Sequence, residues 1–542
     1  MKINQSADKL RGGYYTPPEI TKFIYNYIKE DSMENFTVLE PSIGDGAFIN
    51  DFKEGELAFN MVGIELIKEE ANKARQLILE DDRFNVINID FYEYYKKNKE
   101  KKYNYVVGNP PYIRYQYLSQ EQRDYQSEIL TNNGMKPNKL INAWVAFTVA
   151  SIEMLEEDGV MLFVLPTDLL QVNYAKELRK LFNDRLSELT IINFEKTVFN
   201  NIQQDVLLIV GKKKIKKEEQ KHKLKIVNLT DISKLKMLNI REKPFVLDEL
   251  KNYYYETDKW SSVFIDNNHK TFYLNLRKDN LVSYFNDYIK GEVGITTGNN
   301  KVFAINDTIL KKYELEEYAI PLLGRSVEVK GITYDSIDFE ENKKANKNVW
   351  LLDFNNKELK GKAINYIEEM VKAKEHIGYK LSLRDRWYEV PSIWNPDAFL
   401  LRRIGEGPKI ILNDLDATST DTFHRLKIKK GVNSKLVIFA LYSSLALMTF
   451  ELEGRIFGGG ALEILPGDLK NIFLPKIDFY SFNKYETTLF DELDNKLRSN
   501  ESLESIVLWV NQNLIKHFNV DEDILHISND IWKSLKDKRT KK

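Results

Sequence analysis

Residues 109–112 read Asn-Pro-Pro-Tyr, directly behind the apolar run YNYVVG. Asn109 offers a side-chain amide oxygen, and Pro110 a carbonyl whose direction the rigid ring of the loop helps to fix. Pro111 stiffens the same loop, and Tyr112 adds a flat aromatic face. Two aimed acceptors beside a ring suit a planar substrate with an exocyclic or amide NH2 group, and chemistry at that nitrogen. Three carboxylates form a second pattern. Glu40 ends the run TVLE and leads into a Gly44-Asp45-Gly46 turn; Glu65 ends VGIE, 65 − 40 = 25 residues later; Asp90 ends NVINID and is followed by Phe91. Glycines at 44 and 46 let the backbone approach a ligand. An acid at the end of the next strand accepts ribose hydroxyls. A third acid can accept from an adenine amino group while the neighbouring ring stacks. Together the three describe a nucleoside slot. The spacing is not GxGxxG and no Lys-Ser/Thr follows, which argues against a pyrophosphate or P-loop site.

Short apolar runs at 37–41, 61–66, 84–90, 103–108, 159–166, 189–194 and 205–210 read as seven strands. Amphipathic stretches of helical period separate most of them. Strand–helix alternation at this pace predicts an α/β domain with a mostly parallel sheet covered on both faces. The last two strands are joined by a loop alone, so an antiparallel hairpin at the sheet edge is expected. The charged stretch 211–225 ends the pattern, and the domain division is placed at 1–240 and 241–542. A helical segment is expected in pieces from about residue 485 to 535. No internal repeat is evident.

Composition narrows the chemistry. The 542 residues contain no cysteine, which excludes disulfides, thiolate zinc sites and a cysteine nucleophile, and so disfavours ring-carbon methylation of cytosine. Six scattered histidines without an HExxH give a metal centre little support. No apolar run reaches bilayer length, and the N-terminal residues MKINQSADKLRGG lack the apolar centre of a signal peptide; no membrane association and a cytoplasmic location are expected. The net charge of −2 argues against a uniformly positive surface, yet local patches suffice for phosphate contacts. The lysine-rich stretches 212–225 and 536–542 read more readily as a solvated hairpin tip and a frayed end than as phosphate contacts.

The segments GGYYTPPEI (12–20), LEPSIGDGAF, VGIELI, NIDFYEY and VVGNPPYIRY resemble, in kind and order, the motifs of amino-directed DNA methyltransferases, and the order is similar to the gamma class of N6-adenine enzymes. The resemblance covers roughly the first 210 residues. It implies a Rossmann-like, S-adenosylmethionine-dependent methyltransferase domain followed by an α+β target recognition domain, with S-adenosyl-L-homocysteine as product and no metal. By the resemblance, Tyr15 and Thr16 border the methionine end, Glu40 lies near its ammonium, Glu65 holds the ribose and Asp90 the adenine amino group, with Gly44, Gly46, Phe91 and Asn109 completing the cofactor site. Asn109 and Pro110 then accept the two N–H groups of the target amine and Tyr112 stacks on the base, which is flipped out of the duplex. Phe199 is expected as the second stacking face, with Phe194 as the alternative.

Pieces of 245–480 look like recognition regions of type II adenine methyltransferases. Thr296, Thr297, Asn299, Asn300 and Lys301 are suited to phosphates or base edges, Arg402 and Arg403 to guanine, and the glycines 458–460, Gly459 central among them, to close approach of DNA or simply to a tight loop. Double-stranded DNA is the expected partner. No fused nuclease core stands out, leaving a separate restriction endonuclease or an orphan role. N4-cytosine methylation is the nearest alternative and protein glutamine methylation a more distant one. A non-catalytic DNA-binding subunit has no need of the three acids and NPPY.

Overall fold

The alternation of strands and helices builds an eight-stranded sheet in the first half of the chain. The structure, a computed structural model, describes residues 16–31, 34–55, 57–79, 81–196, 198–199, 205–216, 220–246, 251, 259–457, 460–482 and 484–540. It divides into two compact units, Met1–Phe264 and Ile265–Lys542. In the first unit the strands are β1 (Phe36–Glu40), β2 (Phe59–Glu65), β3 (Phe84–Asn88), β4 (Tyr103–Gly108), β5 (Leu155–Pro166), β6 (Leu186–Phe194), β7 (Val206–Lys213) and β8 (Lys223–Leu229). Their order is β3-β2-β1-β4-β5-β7-β6-β8. Only β7 runs antiparallel, to both β5 and β6. The seven-stranded expectation is corrected by β8, which pairs parallel with β6 and covers what would have been the edge. The β6–β7 pair is antiparallel as expected but lies inside the sheet.

The period-2 alternation of the strands sorts their side chains onto two faces. Leu39, Val106 and Phe163 join one hydrophobic layer with Phe91, Trp144 and Phe182. Val38, Val107 and Val164 join the other with Ile24, Phe52 and Ala71. Those helical residues come from α1 (Pro18–Glu30), α2 (Ile49–Glu54), α3 (Lys68–Leu77), α4 (Phe91–Lys97), α6 (Ala143–Glu153) and α7 (Lys176–Arg185), while α5 (Gln120–Asn132) follows the NPPY loop. Residues 143–152 of α6 are buried all round, as a helix pressed into a doubly covered sheet must be. The chain winds from β1 to β2 and β3 on one side and returns to β4 on the other. The carboxyl ends of β1 and β4 therefore form the topological switch point, where open α/β sheets bind ligands.

The division falls at 264/265 instead of 240/241. Trp260 and Val263 are buried in the first unit's core; Trp260 N–H donates to Leu170 O (2.7 Å), and Asn228 Nδ2 donates to Val263 O (3.2 Å). The sequence leading up to Trp260 shows no apolar periodicity, which hid this attachment.

The second unit contains a five-stranded sheet in the order Ile289–Val293, Phe423–Ile428, Ala398–Leu401, Ile410–Asn413, Thr333–Tyr334, with smaller sheets beside it. Behind it come helices α8 (Ser434–Ala440), α9 (Ser444–Glu453), α10 (Lys484–Arg498), α11 (Leu503–Phe518) and α12 (Glu522–Thr540). The lysine-rich tail is no frayed end up to residue 540. Arg539 is buried and forms a two-pronged ion pair with buried Glu451 of α9 (both N–O distances 2.7 Å), and buried Lys536 pairs with Glu504. Among the described residues, no single helix is long and apolar enough to cross a membrane.

Candidate active site

The turn after β1 is shaped by two glycines with different duties. Gly44 (φ +57°) and Gly46 (φ +93°) both take left-handed backbone conformations that side-chain-bearing residues resist. A Cβ on Gly46 would stand 2.8 Å from Ile49 Cδ1 and 2.9 Å from Leu77 Cδ1, so this glycine lets the turn pack on α2 and α3. A Cβ on Gly44 would meet nothing within 4 Å, so this glycine keeps an open approach to the backbone. Gly44 N–H donates to Glu65 Oε2 (3.0 Å), and Ile67 N–H donates to Oε1 (2.7 Å). Burial raises the Glu65 carboxyl above its ordinary range, while these backbone donors pull it back.

Glu40 is only 2% exposed, and its Oε2 has no hydrogen-bond partner among the described residues. Burial, then the charges of Glu65 and Asp45, push its carboxyl well above the usual range. A buried carboxylate without a donor is costly. A cationic ligand group is the natural partner for it.

The acceptor loop meets this turn directly. A carbon added to Gly108 would lie 3.7 Å from Glu40 Cγ, so β4 delivers Asn109 beside Glu40. Ser42 Oγ donates to Asn109 O (3.2 Å), tying the turn to the loop. Tyr112 Oη donates towards Asn109 Oδ1 (2.9 Å) and Val164 O (3.1 Å), sharing one hydrogen between them. Its half-buried ring packs against both hydrophobic layers. Tyr112 thus anchors the Asn109 amide, a duty beyond the stacking expected of it. Pro110 is buried and Pro111 half-buried.

Asp90 caps α4, its Oδ1 accepting from Tyr92 N–H (2.7 Å). Its Oδ2 accepts from Gln122 Nε2 (2.8 Å). Gln122 closes a capping box, its Oε1 accepting from Ser119 N–H (3.0 Å) and its own N–H donating to Ser119 Oγ (3.2 Å). Sequence reasoning missed Ser42 and Gln122. The S-x-x-Q signature at 119–122 was a readable signal for the second, and nothing marked the first. Phe91, expected to stack, has its ring buried against Phe147 (centroids 4.9 Å apart), because the first turn of α4 points it into the core. Thr16 is buried just ahead of α1, and Tyr15 lies outside the described residues. Phe199 is 6% exposed and joins the same hydrophobic layer as Phe194 and Val198, so its ring is a core element in place of the expected open stacking face.

The residues named for DNA contact in the second unit mostly bind their own chain. Thr297 is 2% exposed, and its hydroxyl donates to Asn300 Oδ1 (2.5 Å). Asn299 caps the turn Asn300–Phe303, accepting from Lys301 N–H (3.1 Å), and donates to Glu375 Oε2 (2.7 Å). Asn300 and Lys301 are exposed, with Lys301 Nζ 3.6 Å from Glu375. Arg402 pairs with buried Glu463 (3.1 Å), so its fork is not free to read a base; Arg403 is largely exposed, with its Nε 3.6 Å from the same carboxylate. Gly459 lies outside the described residues. Among the described residues, no group of three or more metal-binding side chains comes together.

The chain is similar to known proteins over most of its length. A family model described as N-6 DNA Methylase matches residues 1–272, half of the 542-residue chain, and one described as the C-terminal domain of Type II methyltransferase M.Eco57I matches residues 257–515. Type II methyltransferase M.AccI of Acinetobacter calcoaceticus is 25% identical over 445 residues, covering 80% of this chain and 79% of that protein. Type II methyltransferase M.HindII of Haemophilus influenzae is 25% identical over 336 residues, 58% of this chain and 59% of that one. Among solved structures, a DrdV–DNA complex superposes with a TM-score of 0.51 at 12% identity, covering 95% of this chain and 58% of that one, a likeness of fold. By the match that spans half its length, this chain belongs to the N-6 DNA Methylase family.

Proposed function

We propose that the protein transfers a methyl group from S-adenosyl-L-methionine to the N6 amino group of adenine in duplex DNA, with the target base flipped into the site. Its products are N6-methyladenine, S-adenosyl-L-homocysteine and a proton. The observation that carries this reading is the junction of acceptor loop and glycine turn, where Ser42 bonds to Asn109 O beside Glu40, whose Oε2 has no partner among the described residues.

The strand-end residues fit the cofactor. Glu40 Oε2 is a buried acceptor suited to the methionine ammonium, and Gly44 leaves its side of the turn open. Glu65, held by two backbone donors, suits the ribose hydroxyls. Asp90 suits the adenine amino group, and Tyr15 and Thr16 the carboxylate end. When bound, S-adenosyl-L-methionine supplies a sulfonium methyl group as the electrophile.

The protein's own part is to make a poor nucleophile serviceable. The lone pair of an adenine amino nitrogen is delocalised into the ring. Asn109 Oδ1 and the Pro110 carbonyl each accept one N–H, drawing the nitrogen towards tetrahedral geometry and freeing its lone pair. The same acceptors stabilise the positive charge that develops there, and their preset direction spares reorganisation. Tyr112, by holding Asn109 Oδ1, keeps the amide oxygen and not its NH2 facing the target. Tyr112, whose half-buried ring borders the loop, is the ring left to flank a flipped base, since Phe199 is taken up by the core.

The gamma-type motif order and the type II relatives support a restriction–modification role; in such a role the possible partner is a separate endonuclease and the place of action the cytoplasm. The test is transfer of labelled methyl from S-adenosyl-L-methionine to unmethylated duplex DNA or to a protein fraction. Label in DNA is expected, and label confined to protein overturns the reading.

A further inference from the structure

The second unit presents a loop whose chemistry the reading above leaves unused. Residues 373–386 follow the helix Lys362–Lys372 and carry large apolar side chains in solvent. Tyr379 is 79% exposed, Ile377 67% and Leu383 68%, with Val371 just ahead of them at 40%. Isolated exposed hydrophobics are ordinary, but a cluster of this kind marks an interaction surface.

The loop is braced from beneath. Leu381 is buried and packs so closely on Gly298 that a Cβ there would stand 2.9 Å from its Cδ2. Arg384 donates to Thr296 O (3.1 Å) and Thr297 O (2.7 Å), and its guanidinium lies 5.7 Å from the Phe303 ring. Asn299 Nδ2 donates to the Glu375 carboxylate (2.7 Å) and backbone carbonyl (3.0 Å). The polar residues at 296–300 are thus the mount of this loop. A side chain carried on a braced backbone loses less freedom on binding than one on an unbraced loop.

Charge decides what fits it. Residues 372–386 contain Lys372, Lys374, Lys380, Arg384 and Arg386 against Glu375 and Asp385, a local balance of 5 − 2 = +3 in a chain whose total is −2. Lys372, Lys374 and Lys380 are exposed, and none has an ion-pair partner among the described residues. Exposed lysines around a fixed aromatic and aliphatic tip match duplex DNA, with phosphates for the cations and a groove or base step for the wedge. An acidic protein surface would answer the lysines but offers no comparable slot for the ring among them.

We propose that the loop 373–386 contacts the DNA substrate. Lys374 and Lys380 neutralise phosphates, and Tyr379, flanked by Ile377 and Leu383, wedges against the bases. This rests on the reading that the protein acts on duplex DNA.

The test uses the full chain and a fluorescein-labelled duplex of random sequence, with binding followed by anisotropy over a series of salt concentrations. Lys374→Gln with Lys380→Gln should flatten the log Kd against log salt slope by about 0.9 for each phosphate left without its lysine. Tyr379→Ala should weaken binding about tenfold while leaving the slope near that of the wild type, as expected when a ring no longer stacks on a base. All variants should keep the wild-type melting temperature and affinity for S-adenosyl-L-homocysteine, since the altered side chains are exposed. If wild-type protein binds and methylates DNA but the variants match its affinity and slope, the loop assignment is overturned. If wild-type protein neither binds nor methylates DNA, the functional reading beneath it fails as well.

Discussion

Removing one oxygen atom tests how the acceptor loop is aimed. Tyr112→Phe keeps the ring but deletes the hydroxyl that donates towards Asn109 Oδ1 at 2.9 Å and Val164 O at 3.1 Å. Val164 lies in the β5–β7 ladder, so the change acts mainly on Asn109. One neutral hydrogen bond contributes about 1 kcal/mol net. If it serves to hold the amide oxygen towards the target amine, its loss raises the barrier by about 1–1.5 kcal/mol, a five- to tenfold fall in single-turnover methyl transfer. Affinity for S-adenosyl-L-homocysteine should stay within about twofold, because the hydroxyl faces the loop. Asn109→Ala removes an acceptor aimed at developing charge and should cost about 100- to 1,000-fold. In that background Tyr112→Phe should add almost nothing, since the two residues act as one unit. Full additivity of the two losses, or a Tyr112→Phe rate equal to wild type, refutes the anchoring role.

Glu40→Gln should stabilise the cofactor-free protein, and more so as pH rises. The folded carboxyl titrates well above its ordinary value near 4.5, so the wild type loses stability as pH climbs from that value through the raised one, and glutamine has no charge to desolvate. Melting curves at pH 6 and pH 8 check this, and a gain that is the same at both pH values contradicts it; affinity for S-adenosyl-L-methionine should fall in the same variant. Gln122→Ala removes the donor to Asp90 Oδ2 and half of the Ser119 capping box, so calorimetry should find S-adenosyl-L-homocysteine bound about fivefold or more weakly. Unchanged affinity separates Gln122 from the cofactor site. Arg539→Met leaves the buried Glu451 charge without its partner and should destabilise the protein by about 3–5 kcal/mol in denaturant unfolding; a loss under about 1 kcal/mol means that the pair contributes little.

The sheet that carries the site was readable because its central strands are buried on both faces and most of its helices are amphipathic. YNYVVG coincides with β4, and the acids at 40 and 65 end β1 and β2. β8 escaped notice because its alternation of lysine with apolar residues lies within a charged stretch. Lys225 is in fact buried, its Nζ donating to Ile240 O (3.0 Å) and Arg241 O (3.2 Å). Residues chosen by chemical type alone fared worst. Asn299 looked free to meet DNA, yet a helix N-cap and Glu375, 76 positions away, take up its amide. Arg402 looked free to read guanine, yet Glu463 pairs with it. Such partners are set by tertiary packing, and local spacing holds no trace of them. Phe91 and Phe199 show the same limit, since an aromatic beside a motif serves a core as readily as a ligand.

The most direct measurement is the identity of the methylated nucleoside. Duplex DNA of mixed sequence is incubated with the protein and S-adenosyl-L-methionine bearing a deuterated methyl group, then digested and resolved by mass spectrometry. Deuterated N6-methyl-2′-deoxyadenosine from the wild type, and a drop of at least about 100-fold from an Asn109→Ala protein that still binds S-adenosyl-L-homocysteine, is the expected result. Deuterium in N4-methyl-2′-deoxycytidine, or undiminished transfer by Asn109→Ala, would contradict the assignment of the acceptor loop to adenine N6.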